Sequence, residues 1–214
     1  YARQQLDPNA TLDFLLLSGG GDHAAFGAGF LSGWASVEGK NAMPKFDGVS
    51  GVSAGALIAP FAFLGTPEAL EAINRLVRDP KPDWVVPRGL FFFLPENASF
   101  ADVPGLMRDL CAEVDLNFAE RIVRASTGGK RVLLIQATDA DLGTGRTFDA
   151  VAAARQAVAT GDPDILRNIL LASAAVPGAF PPREIEGRLY MDGSITSNFY
   201  YGDPTDEGQS FGAV

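Results

Sequence analysis

The sequence predicts an α/β fold in which helices cover both faces of a mostly parallel central sheet. Two short apolar stretches, 12–17 and 46–50, each lead through a glycine-containing turn into an apolar segment of helical length. A third apolar stretch, 131–138, is predicted to be a strong strand. Because strand–turn–helix alternation is typical of a parallel sheet covered by helices, these three observations predict the α/β class.

The first half of the chain supplies two such units. A strand at 12–17 precedes a helix at 24–37, and a strand at 46–50 precedes a helix at 54–64. The first of these helices is expected to bury one face, because its large apolar residues recur at helical spacing. These residues are Phe26, Phe30, Leu31 and Trp34.

The remaining elements follow from the same patterns of apolar residues and turn residues. Further helices are predicted at 67–77, 103–111, 118–125, 150–160 and 165–175. Further strands are predicted at 131–138, 146–148, 184–185 and 189–191, and the last two form a hairpin that turns at Glu186-Gly187. Residues 79–95 are rich in proline and are expected to be irregular.

Composition excludes several classes of function. The formal net charge of −9 argues against nucleic acid as a partner, because no basic stripe is present to neutralise phosphates. The same charge gives no general attraction to anionic membranes. The single cysteine, Cys111, rules out an internal disulfide. No stretch of the sequence is long and apolar enough to span a bilayer.

The length of 214 residues is suited to one domain, 1–214, with a sizeable core. The sequence begins at Tyr1 rather than Met, and 202–214 is polar and glycine-rich without a closing helix or strand. We therefore expect the domain to be truncated at both ends. A signal peptide is one candidate for the segment removed upstream, which would suit a secreted or cell-envelope protein.

The stretch Gly51-Val52-Ser53-Ala54-Gly55 is the strongest indication of chemistry. It lies between a predicted strand and a predicted helix, which is the pattern of a nucleophile elbow. The glycines suit a turn in which a Cβ would clash, and the turn would hold the Ser53 hydroxyl out for attack. The only histidine, His23, precedes Ser53, so the order serine, acid, histidine of α/β-hydrolases is impossible here.

A second glycine turn, Gly19-Gly20-Gly21, lies between the first strand and its helix. Consecutive glycines let backbone N–H groups converge on an anion beside the positive end of a helix. In acyl transfer that anion is the oxyanion of the tetrahedral intermediate. A dinucleotide-binding site is the competing hypothesis, because Gly19-x-Gly21-x-x-Ala24 fits that fingerprint and Glu38 or Asp47 is at a plausible spacing.

The base that would activate Ser53 is expected among the aspartates. Asp192 follows the apolar stretch 189–191, so it should lie where ligands bind in open α/β sheets. An aspartate at that place can accept the serine proton directly. Asp139 and Asp141 are competing candidates, although Asp141-Leu142-Gly143 is more typical of a hairpin turn.

At these sites together the sequence resembles the patatin-like phospholipases, a family of serine lipid acyl hydrolases. The resemblance covers about residues 14–198. It rests on the glycines at 19–21, the elbow at 51–55, the stretch 172–182 (Ala-Ser-Ala-Ala-Val-Pro-Gly-Ala-Phe-Pro-Pro) and Asp192-Gly193.

The resemblance implies a three-layer α/β sandwich and a Ser–Asp dyad without histidine. It would make Ser53 the nucleophile, Asp192 the base, and the Gly19, Gly20 and Gly21 loop the oxyanion hole. The implied activity is hydrolysis of a lipid or other carboxylic ester, with a non-catalytic lipid-binding module of the same shape as an alternative.

The chain departs from the family pattern directly after the glycine loop. The family usually has Arg or Lys and then Gly there, whereas this sequence has His23 and Ala24. No cofactor or metal is implied, because one histidine, one cysteine and scattered acids give no ligand spacing. The apolar segment 84–94 is a candidate lining for an acyl chain or a point of transient contact with a membrane surface.

Overall fold

The computed structural model describes residues 11–78, 81–87, 99, 101–126, 128 and 130–200. Its central sheet has six strands in the order β1-β2-β5-β8-β7, with β6 also paired to β5. These strands are β1 (Phe14–Leu17), β2 (Gly48–Val52), β5 (Val132–Asp139), β6 (Gly145–Asp149), β7 (Arg183–Ile185) and β8 (Arg188–Met191). A separate antiparallel pair is formed by β3 (Val86–Pro87) and β4 (Ala101–Asp102).

Seven α-helices accompany the sheet in the described part of the chain. They are α1 (Ala24–Ala35), α2 (Ala54–Leu64), α3 (Pro67–Arg78), α4 (Pro104–Glu113), α5 (Leu116–Ala125), α6 (Ala150–Thr160) and α7 (Asp164–Ser173). Each corresponds to a predicted helix, with ends that differ by up to a few residues. Within the described ranges, none of these helices combines the length and hydrophobicity needed to cross a bilayer.

The direction of the strands confirms the predicted α/β class with a mostly parallel sheet. β1, β2 and β5 are mutually parallel. β8 is antiparallel to β5 and β7 is antiparallel to β8, so β7 runs in the same direction as β1, β2 and β5. Four of the six strands therefore share one direction, and β6 and β8 run the other way.

The two glycines that flank Ser53 are required by packing between β2 and α2. A Cβ on Gly51 would lie 2.8 Å from Ala59 Cβ, and one on Gly55 would lie 2.6 Å from the Leu17 carbonyl carbon. Distances this short are not tolerated between heavy atoms, so only glycine lets α2 begin directly against β1 and β2. This close approach places Ser53 at the carboxyl edge of the sheet.

Helix α1 corrects one expectation. Leu31 is buried as predicted, but Phe26 and Phe30 are 76% and 58% exposed. The predicted single buried face was therefore wrong for these two residues. The reason is that β1, beside α1, is the edge strand of the sheet among the described residues, so only part of the helix surface meets the core.

The two predicted hairpins are present. β5 and β6 form an antiparallel pair, and β7 and β8 are joined at Glu186 and Gly187, which adopt φ values of 54° and 75°. Most of the segment 84–94 lies outside the described residues, so its predicted roles stay predictions. Within the described part, the Trp84 indole N–H donates to Asp109 Oδ2 at 2.9 Å.

Candidate active site

Ser53 occupies a sharp turn between β2 and α2. Its backbone has φ 55° and ψ −122°, a conformation that residues other than glycine rarely adopt. Holding a residue there costs on the order of 1–3 kcal/mol, and it persists only where the surroundings impose it. Ser53 is 6% exposed. The turn is the elbow that the Gly-x-Ser-x-Gly stretch predicted.

A second serine, Ser173, holds this turn by a hydrogen bond to the backbone of Ser53. The Ser53 N–H donates to Ser173 Oγ at 2.9 Å, and Ser173 Oγ donates to the Gln136 carbonyl at 2.6 Å. Ser173 ends α7 and is completely buried, and Gln136 belongs to β5. Ser173 lies within the stretch 172–182, but its role was not predicted from the sequence, because a serine at the end of an apolar helix resembles any small core residue.

The Ser53 hydroxyl contacts Asp192, which is 139 residues further along the chain. Ser53 Oγ donates to Asp192 Oδ2 at 2.5 Å, while Asp192 Oδ1 accepts the Ser194 N–H at 2.8 Å. The backbone of Asp192 is held as well, since its N–H donates to Ala175 and its carbonyl accepts from Thr138 Oγ1, both at 2.9 Å. Asp192 is 3% exposed, so the pair is nearly sealed from solvent.

Close packing explains why the residue after Asp192 is a glycine, Gly193. A Cβ there would lie 2.9 Å from Val52 Cγ1 and would collide with the Gln136 carbonyl oxygen. Val52 immediately precedes Ser53, so the missing side chain lets the Asp192 strand end approach the elbow.

The glycine loop is next to the same site. A Cβ on Gly19 would lie 3.2 Å from Ser53 Cβ and 2.8 Å from Asn198 Oδ1. Gly20 and Gly21 follow in an exposed turn, and Gly21 has φ 56°. Gly19 is thus the member of the predicted loop that directly faces Ser53, with Gly20 and Gly21 further along the turn.

The single histidine takes a local role. The His23 side chain is 84% exposed, and its Nδ1–H donates to the Gly20 carbonyl at 2.9 Å. The His23 backbone N–H donates to the same carbonyl at 3.0 Å. His23 closes the turn of the glycine loop, and no imidazole lies between Ser53 and Asp192.

The competing aspartates, Asp139 and Asp141, belong to a turn of their own. Asp139 Oδ1 accepts the N–H groups of Asp141 and Leu142, both at 3.0 Å, and Asp139 Oδ2 accepts from Arg188 Nη1 at 3.0 Å. The bond from the Leu142 N–H, with help from Arg188, holds the pKa of Asp139 below its usual value. Asp139 thus holds a turn, and Asp141 is exposed in that turn.

The geometry does not suit the dinucleotide hypothesis. Asp47 precedes β2, whereas the glycine loop follows β1, so the two lie at opposite ends of parallel strands. Glu38 lies beyond α1, a 12-residue helix that runs about 18 Å away from the loop. Within the described ranges, no three side chains of the types His, Cys, Asp and Glu come together as metal ligands would.

Fold and site together define an α/β domain with a buried serine–aspartate pair at the carboxyl edge of its sheet. Comparison with protein families finds that the model described as patatin-like phospholipase matches residues 15–203. The chain belongs to this family, as the resemblance at the glycine loop, elbow and Asp192 predicted. Membership supports a lipid acyl hydrolase of phospholipase type at the level of the family. Comparison with curated proteins gives no significant match.

Proposed function

We propose that the protein is a serine hydrolase that cleaves carboxylic esters of lipids through an acyl-enzyme on Ser53, with Asp192 as base. The observation that carries this proposal is the 2.5 Å hydrogen bond from Ser53 Oγ to Asp192 Oδ2. A nucleophile within hydrogen-bond reach of its base is the arrangement that covalent acyl transfer requires.

In the first half of the reaction, Ser53 Oγ attacks the ester carbonyl carbon and its proton passes to Asp192 Oδ2. The C–Oγ bond forms while the carbonyl oxygen becomes an oxyanion. Collapse of this intermediate breaks the bond to the alcohol, which leaves with the proton held by Asp192. The acyl group then remains on Ser53.

The oxyanion needs donors that are free to point at it. The Ser53 N–H is engaged by Ser173, so it is unsuited to that role. The amides of Gly19, Gly20 and Gly21 remain, together with the Ala54 N–H, which lies in the first turn of α2 and lacks an intrahelical partner. The positive end of α2 adds to their effect, and loss of one such donor typically costs about 2.7–4 kcal/mol of barrier.

In the second half, water replaces the alcohol. Asp192 takes a proton from this water as its oxygen attacks the acyl carbon. The bond to Ser53 Oγ then breaks, Ser53 recovers the proton, and a free carboxylic acid leaves. The single aspartate therefore serves as base and acid in turn, and no step requires an imidazole.

Labelling by an alkyl fluorophosphonate tests the proposal directly. We expect stoichiometric modification of the wild-type protein at Ser53, located by mass spectrometry of peptides, and none in Ser53→Ala. Ser197→Ala is the matched control, because Ser197 is half-buried and its hydroxyl donates to the nearby Phe199 backbone carbonyl. Folded wild-type protein that resists the probe would instead support the non-catalytic lipid-binding module.

A further inference from the structure

A narrow apolar groove runs between β1 and α1 and reaches the start of α2. It encloses about 250 Å³. Of the described residues that line it, Ser18 and His23 alone carry polar side chains. The apolar part of the lining comes from all three elements and includes Leu15, Leu17, Gly27, Phe30, Leu31 and Ile58. A surface of this kind binds a hydrocarbon better than a polar group.

One end of the groove lies next to the proposed catalytic centre. Its lining includes Gly19 and Gly20 of the glycine loop and Ala54 and Gly55 at the start of α2. Ala54 directly follows Ser53, and a Cβ on Gly19 would lie 3.2 Å from Ser53 Cβ. A chain attached to a carbonyl on Ser53 therefore has an apolar path that starts beside the proposed oxyanion donors.

The outer rim of the groove is formed by the exposed aromatic residues of α1. Phe26 and Phe30 line the groove and are 76% and 58% exposed. Their rings stack at a centroid separation of 6.4 Å, and Phe30 also packs 5.8 Å from Trp34. Large aromatic side chains on a surface mark a binding site more often than isolated apolar residues do.

We propose that this groove holds the acyl chain of the ester, with Gly27 setting how much of the chain is buried. The inference rests on the proposed function, since it names the substrate portion that the same site takes. Pockets for drug-sized ligands enclose about 300–1,000 Å³, so a groove of about 250 Å³ suits one chain rather than two.

Gly27 leaves the groove open opposite Ile58, because it has no side chain. A Cβ on Gly27 would lie 3.2 Å from Ile58 Cδ1, so any larger side chain must project into the groove or displace Ile58. Each buried methylene is worth about fourfold in kcat/KM, because it contributes the transfer of one CH₂ group from water. The length of acyl chain that the groove holds should therefore determine how kcat/KM changes from short to long esters.

The test measures kcat/KM for p-nitrophenyl acetate, butyrate, hexanoate and octanoate, which differ only in the acyl chain. We expect the ratio of octanoate to acetate to fall at least about tenfold in Gly27→Leu, because its four-carbon side chain would take the space of at least roughly two methylenes. Gly33→Leu is the matched control on the same helix, because nothing lies within 4 Å of a Cβ there. Its ratio should equal that of the wild type.

A second pair of variants covers the case in which Gly27→Leu does not fold. Phe30→Gln should lower the same ratio by making the exposed rim polar, whereas Val158→Gln should not. Val158 is a comparably exposed apolar residue on α6, away from the groove. An unchanged ratio in a folded Gly27→Leu variant, or in Phe30→Gln if Gly27→Leu does not fold, overturns the groove assignment.

Binding separates this inference from the proposed function. In Ser53→Ala, which cannot form an acyl-enzyme, we expect fluorescent 11-(dansylamino)undecanoic acid to bind and Gly27→Leu to weaken it at least tenfold. Ser53-dependent hydrolysis with an unchanged chain-length ratio leaves the proposed function standing and rejects the groove. Absence of hydrolysis counts against the proposed function, and the groove is then rejected only if the dansyl probe does not bind.

Discussion

Asp139 and Asp192 are two buried aspartates at strand ends of the same sheet, and they differ in what their oxygens contact. Asp139 is 4% exposed and Asp192 is 3% exposed. Both oxygens of Asp139 are bound to local N–H groups or to Arg188. Asp192 uses Oδ1 for a local N–H and keeps Oδ2 for the Ser53 hydroxyl. The two aspartates are thus about equally buried, and they differ in the partner of Oδ2, which is Arg188 for Asp139 and Ser53 for Asp192.

This difference shows what a proposed catalytic carboxylate requires. A cation such as Arg188 stabilises the charged form of Asp139 and makes it a weaker base. Asp192 Oδ1 is held by the Ser194 N–H, so Oδ2 is directed at the Ser53 hydroxyl. Within the described structure, no cation neutralises Asp192. An anchored carboxylate with a single free direction is suited to proton transfer, whereas one with every direction filled is suited to holding a turn.

The largest difference in activity is expected when each aspartate is replaced in turn by the neutral asparagine. We expect Asp192→Asn to lower kcat/KM for p-nitrophenyl esters by at least about 100-fold, as loss of a general base does. Asp139→Asn should change it by less than about threefold, well short of that loss. Comparable activity losses in the two folded variants would contradict the assignment of Asp192 as the base.

A smaller effect is expected from Ser173, which holds the backbone of Ser53. Ser173→Ala leaves the Ser53 N–H without its acceptor, so we expect about 10-fold lower kcat, little change in KM and about 1–3 kcal/mol less stability. Steady-state kinetics and urea unfolding would measure these quantities. Ser126→Ala is the control, because Ser126 is also buried and ends a helix far from the elbow. A stability loss with unaltered kcat would make Ser173 a structural residue alone.

The smallest effect concerns acid stability. The pKa of Asp139 is lowered in the folded protein, first by the Leu142 N–H and also by Arg188. Its stabilising contribution is therefore complete above the unfolded pKa of about 3.9 and is lost as pH falls through the lower folded value. The difference in unfolding free energy between wild type and Asp139→Asn should shrink as pH drops from 6 to below about 3.9.

Urea unfolding at several pH values measures this difference, and Asp141→Asn serves as the control because Asp141 is exposed in the same turn. We expect no comparable change with pH for Asp141→Asn. A constant difference for Asp139→Asn across the range would mean that its carboxylate does not stabilise the turn.

Sequence alone predicted the elbow and an aspartate beside it, but the expected reason for their proximity does not hold. Asp192 follows β8, which runs in the direction opposite to β2, so the two residues do not follow parallel strands. β8 pairs with only the last two residues of β5, Thr138 and Asp139, and its end therefore lies beside the end of β2. The choice between Asp139 and Asp192 depended on the family resemblance, because each follows an apolar strand and precedes a turn. The difference lies in Arg188, whose approach to Asp139 is a tertiary contact 49 residues apart in sequence.

Two other features were beyond the reach of the sequence. The exposure of Phe26 and Phe30 depends on β1 being the edge strand, and apolar spacing on α1 cannot report what lies outside the sheet. The role of Ser173 depends on the direction of one hydroxyl between α7, β5 and the elbow. Such positions are fixed by packing of distant elements, whereas turns and periodicity are local.

The strained backbone of Ser53 has a consequence for how the protein could change over time. At φ 55°, glycine is the residue that the backbone itself would favour. Replacing Ser53 with glycine would relax the turn while removing the hydroxyl, so a more stable molecule is one substitution away at the cost of the proposed chemistry. Selection for durability alone would erode this position, and its retention would therefore report that the reaction is still in use.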